Sequence, residues 1–178
     1  MARITLIYPS DGLCYKFARN RTRRMPLGLA YIAAALEKAG HDVKILDASL
    51  HDLSVDETVE RALANDPEFI GIGCTTPLYH QATAIIEKVK ALSPSTVVIF
   101  GGPHVSALPE ATLKTSKADF VCIGEAEESV VAVVEHVLKN LDPKDIPGIA
   151  YRWGRLCRAY AGIPAAAPSI QGHNRESD

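Results

Sequence analysis

Three clusters of small, hydroxylated or flexible residues each follow a short apolar run: Cys74-Thr75-Thr76-Pro77, Gly101-Gly102-Pro103-His104 and Gly124-Glu125. Glycine pairs at a strand end let backbone approach a ligand closely. Thr75 and Thr76 can cap the helix that follows and still offer hydroxyls to a ligand. His104 reads as a hydrogen-bonded loop residue before it reads as a metal ligand. Glu125, Glu127 and Glu128 suit a helix start, where the macrodipole favours acids. His41, His51, His80, His136 and His173 form no constellation. The chemistry on offer is binding by backbone and hydroxyl groups at several strand ends.

Those clusters need a scaffold that brings strand ends together. Phe69 to Cys74 and Thr96 to Phe100 are apolar, β-rich runs, and between them Ala82, Ile85, Ile86, Val89 and Leu92 have the spacing of one helical face. Strand, helix and strand in this order make a right-handed βαβ unit with a parallel pair. Both following loops then open at one edge of the sheet, where open α/β sheets bind ligands. Ile4–Tyr8, His41–Asp47 and Phe120–Ile123 supply three more strands. Helices are predicted over Pro26–Lys38, closed by Ala39-Gly40, over Val55–Ala64 with Ser54 as N-cap, over Leu108–Leu113 and over Glu127–Lys139.

Five alternations of strand and helix predict an α/β fold. The specific expectation is a flavodoxin-like, Rossmann-like doubly wound sheet of five parallel strands in the order 2-1-3-4-5. Its switch point lies between the first and third strands, flanked by Thr75-Thr76 and by a long loop carrying Lys16, Arg19, Arg21, Arg23 and Arg24. That loop reads either as a solvated basic face or as a lid or phosphate-binding arm. After Pro147 two short apolar runs flank Trp153-Gly154 and predict a C-terminal hairpin. The expected division is a binding domain over 1–145, a hairpin extension over 146–162, and a linker with a polar, disordered tail over 163–178.

The bulk numbers fit one cytoplasmic domain. A chain of 178 residues is long enough to fold on its own core, and a net charge of −2 names no nucleic-acid or membrane partner. No apolar run is long enough for a membrane span, and Met1-Ala-Arg-Ile-Thr leads into a strand, unlike a signal peptide. Cys14, Cys74, Cys122 and Cys157 are far apart and read as reduced thiols, with Cys74 and Cys122 in the core.

Four uses of the fold can be weighed against these loops. A dinucleotide site needs G-x-G-x-x-G after the first strand, and Tyr8-Pro-Ser-Asp-Gly12 is not that; Asp47 alone is a weak ribose signal. A flavodoxin needs a hydroxyl-rich phosphate loop there. A phosphoacceptor receiver needs Asp where this chain has Gly73-Cys74-Thr75. A corrin is broad and flat with amide arms and a nucleotide tail, and asks for small residues and backbone or hydroxyl groups at several strand ends. Thr75-Thr76, Gly101-Gly102 and Gly124-Glu125 offer them.

The run Pro26-Leu-Gly-Leu-Ala-Tyr-Ile-Ala-Ala-Ala-Leu, with Cys74-Thr-Thr-Pro, Gly101-Gly-Pro-His-Val, Gly124-Glu-Ala-Glu-Glu and Pro147-Gly-Ile-Ala-Tyr-Arg152, resembles the N-terminal cobalamin-binding domain of cobalamin-dependent radical SAM enzymes. Order and spacing over roughly residues 1–155 carry the resemblance more than any one motif. It implies cobalamin as cofactor, a radical SAM barrel as partner, and a parent methyltransferase or cyclase. Thr75, Thr76, Gly101, Gly102, Pro103, His104, Gly124 and Glu125 are the implied binding residues.

Two departures stand out. The D-x-H-x-x-G motif of methionine synthase and the mutases, whose His binds cobalt, is missing, as is common in the radical SAM group. The C-x-x-x-C-x-x-C motif that holds the barrel's iron–sulfur cluster is missing as well, so the chain by itself is expected to bind and not to catalyse. It then reads as a fragment, a truncated form or a free-standing binding domain. The alternative is a degenerate, corrin-free interaction or substrate-positioning module, which predicts a crevice blocked by side chains. Gly102→Val is expected to abolish cobalamin retention at a smaller cost to folding.

Overall fold

The computed structural model describes residues 1–10, 25–153 and 156–160. The basic loop with Lys16, Arg19, Arg21, Arg23 and Arg24, the thiol of Cys14 and the segment 163–178 lie outside the described residues.

The elements follow the expected alternation. They run β1 (Arg3–Tyr8), α1 (Leu27–Lys38), β2 (Asp42–Asp47), α2 (Val55–Leu63), β3 (Phe69–Gly73), α3 (Tyr79–Leu92) and β4 (Val97–Gly101). Then come α4 (Pro103–Ala107), α5 (Pro109–Thr115), β5 (Phe120–Cys122), α6 (Glu127–Leu138), β6 (Ile149–Trp153) and β7 (Leu156–Tyr160). The sheet order is β2-β1-β3-β4-β5-β6-β7. The first five strands are parallel in the expected order 2-1-3-4-5. The hairpin β6–β7 is antiparallel and extends the same sheet beyond β5.

Period-two alternation in the strands divides the core into two layers. Ile7, Ile70, Ile72, Val98, Phe100 and Val121 pack under α2 and α3 with Val59, Ile85, Ile86 and Val89. Ile4, Leu6, Phe69, Ile99, Phe120 and Cys122 face α1 and α6, against Leu29, Ala33, Leu36, Val130, Val133 and Val134. Ser54 caps α2 as expected, and its bond with the Glu57 amide completes a capping box. At the end of the sheet away from the binding loops, His41 Nδ1 accepts from the Ala2 amide at 3.3 Å, tying the start of β1 to the turn before β2.

Two local readings are corrected. Thr75 and Thr76 do not cap a helix through their side chains. Pro77 opens a 3₁₀ turn over Thr76–Leu78 that runs directly into α3, and the Thr76 hydroxyl bonds His104 instead. Before the short helix expected over Leu108–Leu113, which forms as α5, stands a further short helix, α4, absent from the sequence reading. Pro103 starts α4 and Pro109 starts α5, because a proline's fixed φ and missing N–H suit the first helical position.

Gly102 is what lets α4 begin where it does. It has φ +105°, and a Cβ there would lie 2.8 Å from the Cys74 nitrogen and closer still to the Cys74 carbonyl oxygen. The Cys74 amide donates to Gly101 O at 2.9 Å across the same contact. The expectation that Gly102→Val costs folding only a little is therefore overturned: the glycine holds two strand ends together. Even Gly102→Ala should lower stability by about 2–5 kcal/mol, from strained φ plus overpacking. The check is a shift of the urea unfolding midpoint in the absence of any ligand; an unchanged midpoint would contradict the close contact.

Candidate cofactor-binding cleft

A cleft of about 460 Å³ lies between the α1/α6 face of the sheet and those two helices, open at the C-terminal ends of the strands. Its origin is a lack of side chains. Gly71 and Gly73 stand two apart on β3 and so share a face. Gly73 pairs in register with Gly101. One residue row of β3 and β4 thus carries no side chains where neighbouring rows carry Leu, Ile and Phe. Gly71 is roofed by Leu6, whose Cδ2 lies 2.6 Å from where a Cβ would stand. Gly73 leaves Leu29 at 3.4 Å, and Gly101 has nothing within 4 Å.

Of the eight residues singled out in the sequence, Thr75, Gly101, Gly102, Pro103, Gly124 and Glu125 line this cleft. Thr76 and His104 do not; the His104 Nδ1 and Thr76 Oγ1 pair with each other at 3.1 Å, and the imidazole leans on the Tyr79 ring with centroids 4.4 Å apart. Sequence reasoning missed the glycines of β3, the roof from α1 (Leu29, Ile32), Val130 of α6, and Ser106. The Ser106 hydroxyl accepts from the Gly124 amide at 3.0 Å and so ties α4 to the loop before α6. The Gly-x-Gly of Phe69-Ile-Gly-Ile-Gly73 was the available signal, since alternating glycines in a strand mark close approach on one face.

The sequence places the crevice at the switch point between the first and third strands, β1 and β3. Those strands are hydrogen-bonded neighbours, so nothing opens in the plane of the sheet. The space opens above that plane and spans β1, β3, β4 and β5.

Polar groups gather at the mouth: Tyr8, Thr75, Ser106, Glu125 and Glu127. Two thiols border the cleft. Burial pushes Cys74 up to about 12, and its Sγ donates to the Thr75 carbonyl at 3.0 Å. Burial also raises Cys122 to about 11 against an opposing hydrogen bond with Ser129. Both are free and buried, as expected of core thiols, and at neutral pH both are protonated and poor ligands for metal. Among the described residues no His, Cys, Asp and Glu side chains gather into a metal site, and no helix is long and apolar enough to cross a membrane.

The B12 binding domain family model matches residues 22–134. The chain belongs to that family. Cobalamin is the cofactor of this B12-binding domain, which resembles parts of longer proteins. It is 34% identical over 84% of its length to an uncharacterized methyltransferase of Pyrococcus horikoshii, covering 32% of that protein. It is 32% identical, again over 84% of its length, to cytidylyl-2-hydroxyethylphosphonate methyltransferase of Streptomyces wedmorensis, covering 31%. It is 30% identical over 71% of its length to the anaerobic magnesium-protoporphyrin IX monomethyl ester cyclase of Synechocystis, covering 26%. The chain thus spans about a third or less of these relatives.

Among solved structures, the radical S-adenosylmethionine methyltransferase TsrM from Kitasatospora setae, with cobalamin and a [4Fe-4S] cluster bound, shares the fold at a TM-score of 0.76 and 19% identity, over 92% of this chain and 30% of TsrM. The cobalamin-dependent S-adenosylmethionine radical enzyme OxsB, with aqua-cobalamin and S-adenosylmethionine bound, does so at 0.76 and 17%, over 90% of this chain and 22% of OxsB.

The residues fit the cofactor. The glycine row leaves a cradle that a Cβ at Gly101 would enter without touching protein, and the mouth offers hydroxyls and carboxylates to amide arms. The cleft is open, the reverse of what a degenerate, corrin-free module requires. Gly101→Val should keep its fold, since the site has ordinary φ, no neighbour within 4 Å and a strand backbone that favours valine. It should weaken cobalamin binding by at least about tenfold, or 1.4 kcal/mol. Unfolding midpoint and retained corrin absorbance, read on one preparation, separate the two effects. Cobalamin retained in full would show that the glycine row does not form the site.

The thiols give a second test. Cys74 and Cys122 should resist iodoacetamide at pH 8 in the folded chain and react once it is unfolded, by mass mapping. Because both values are raised above the ordinary thiol value of 9.0, the unfolded chain loses these protons first. Stability should therefore be full below pH 9 and fall as pH climbs through about 11. Rapid native alkylation at either cysteine would contradict their burial.

Proposed function

We propose that this domain is the cobalamin-holding part of a longer radical SAM methyltransferase or cyclase, working beside a barrel that it does not itself contain. One observation carries the reading: a cleft at the edge of the sheet whose floor lacks side chains at Gly73 and Gly101, in a chain that spans a third or less of the methyltransferases and cyclase it resembles. When bound, cobalamin supplies a cobalt centre able to carry a methyl group. This chain's own residues hold and orient the cofactor. Gly101 and Gly124 leave room for close backbone approach, while Gly102 packs against the Cys74 backbone and, with Pro103 starting α4, sets the position of that loop. Thr75, Ser106 and Glu125 offer hydrogen bonds to the amide arms. Leu29, Ile32 and Val130 keep water from the inner cleft. Thr76 and His104 brace the loop edge next to Thr75 and Pro103.

Catalysis of S-adenosylmethionine cleavage lies outside this chain, because its four cysteines lack the C-x-x-x-C-x-x-C spacing. A cytoplasmic setting suits the free thiols Cys74 and Cys122. The test has two parts. Purified chain mixed with hydroxocobalamin and desalted should keep an equimolar amount of corrin. The same preparation, treated with iron and sulfide and given S-adenosylmethionine and dithionite, should release no 5′-deoxyadenosine. Colourless protein would contradict the first part, and cleavage by the chain alone would contradict the division of labour.

A further inference from the structure

We propose that Glu125 and Glu127, at the mouth of the cleft, make the site selective for fully amidated corrinoids, so that it rejects corrins in which an arm is still a carboxylic acid. This rests on the cobalamin reading and adds to it which corrinoids the site accepts.

The charge of the cleft is one-sided. Its described lining holds two acids, Glu125 and Glu127, and no Lys, Arg or His. Neither acid has an ion-pair partner among the described residues. The acids that do are Asp56, Asp66, Glu110, Asp119 and Glu135, none of which lines the cleft. A helix start favours acids through its macrodipole, and Glu127 stands in the first turn of α6. That helix has no side-chain cap, so the carboxylate oxygens are not committed to its amides. The backbone that bears the acids is fixed. The Ile123 amide donates to Gly148 O at 2.8 Å, and the Gly124 amide to Ser106 Oγ at 3.0 Å. Gly124, with φ +75°, turns the chain from these ties toward Glu125. Two unpaired acceptors therefore stand at the mouth before any ligand arrives.

A corrin carries its amide arms around the rim of the ring. Each amide offers N–H donors as well as a carbonyl, whereas a carboxylate can only accept. Glu125 and Glu127 thus meet an amide arm through charge-assisted hydrogen bonds. An acid arm at the same place brings no donor and a second negative charge. No cation in the described lining absorbs that charge, and juxtaposed like charges are costly in a site that excludes part of the water. The hydroxyls of Thr75 and Ser106 can both donate and accept, so they serve either kind of arm. Discrimination falls to the two acids. The phosphate of the nucleotide tail is common to amidated and acid forms and cancels in the comparison.

The test compares cobalamin with its b-, d- and e-monocarboxylic acids by equilibrium dialysis against the full chain at low salt, read by corrin absorbance. At least one of the acids should bind at least about tenfold more weakly than cobalamin. The penalty should shrink in about 0.5 M potassium chloride, because the mouth is open to screening ions. In the Glu125→Gln, Glu127→Gln double variant the ratio of the two affinities should fall to within about threefold. The ratio is the readout because a loss of folding or of general fit moves both ligands alike. Equal binding of cobalamin and all three acids by the unaltered chain would overturn the selectivity, while leaving cobalamin binding intact. A penalty that survives in the double variant would overturn its assignment to Glu125 and Glu127. Failure of cobalamin and the acids alike to bind the unaltered chain would overturn the cofactor reading and this inference with it.

Discussion

The site depends on the close approach of two backbones, Gly102 against Cys74. With no side chain at Gly102, the end of β4 lies against the end of β3, the Cys74 amide reaches Gly101 O, and α4 starts at once from Pro103. Ser106 on that helix then fixes the Gly124 amide. Three strand-end loops are thereby held at one level. Flexible loops bring ordering costs to a binding event; loops tied by backbone contact and short hydrogen-bonded helices have met that cost during folding.

The two faces of the sheet share the strands but not the packing. Under α2 and α3, Ile70, Ile72 and Phe100 fill the layer to interior density. Under α1 and α6 the same strands present Gly71, Gly73 and Gly101. Ile70, Ile72, Val98 and Phe100 on the filled face, with Phe69 and Ile99 further from the mouth on the other, hold β3 and β4 in place, so the second face can stay open at the strand ends without loss of the fold. Further from the mouth, Leu36, Val133 and Val134 close that second layer.

Alternation of apolar runs with helical periodicity made the parallel order legible, because short crossovers leave few topologies. Capping was legible at Ser54, where Glu57 stands three residues on, and misread at Thr75, where Pro77 starts a turn without needing a side-chain cap. Six of the eight residues singled out line the cleft because strand-end loops are positioned by topology alone. The roof was not legible: Leu29, Ile32 and Val130 look like ordinary core residues, and only tertiary placement shows that they face a gap. Nor was the role of Gly102. A double glycine says that backbone comes close to something, but not that one glycine meets protein and the other meets open space.

Amide hydrogen exchange of the full chain with and without cobalamin tests the central claim most directly, since it reports where the cofactor sits. The account predicts slower exchange in the segments bordering the cleft, 26–32, 73–75, 101–106 and 124–130, with β2 and the α2 surface unchanged. Bound corrin that leaves those segments unprotected, or protects the α2/α3 face instead, would contradict it.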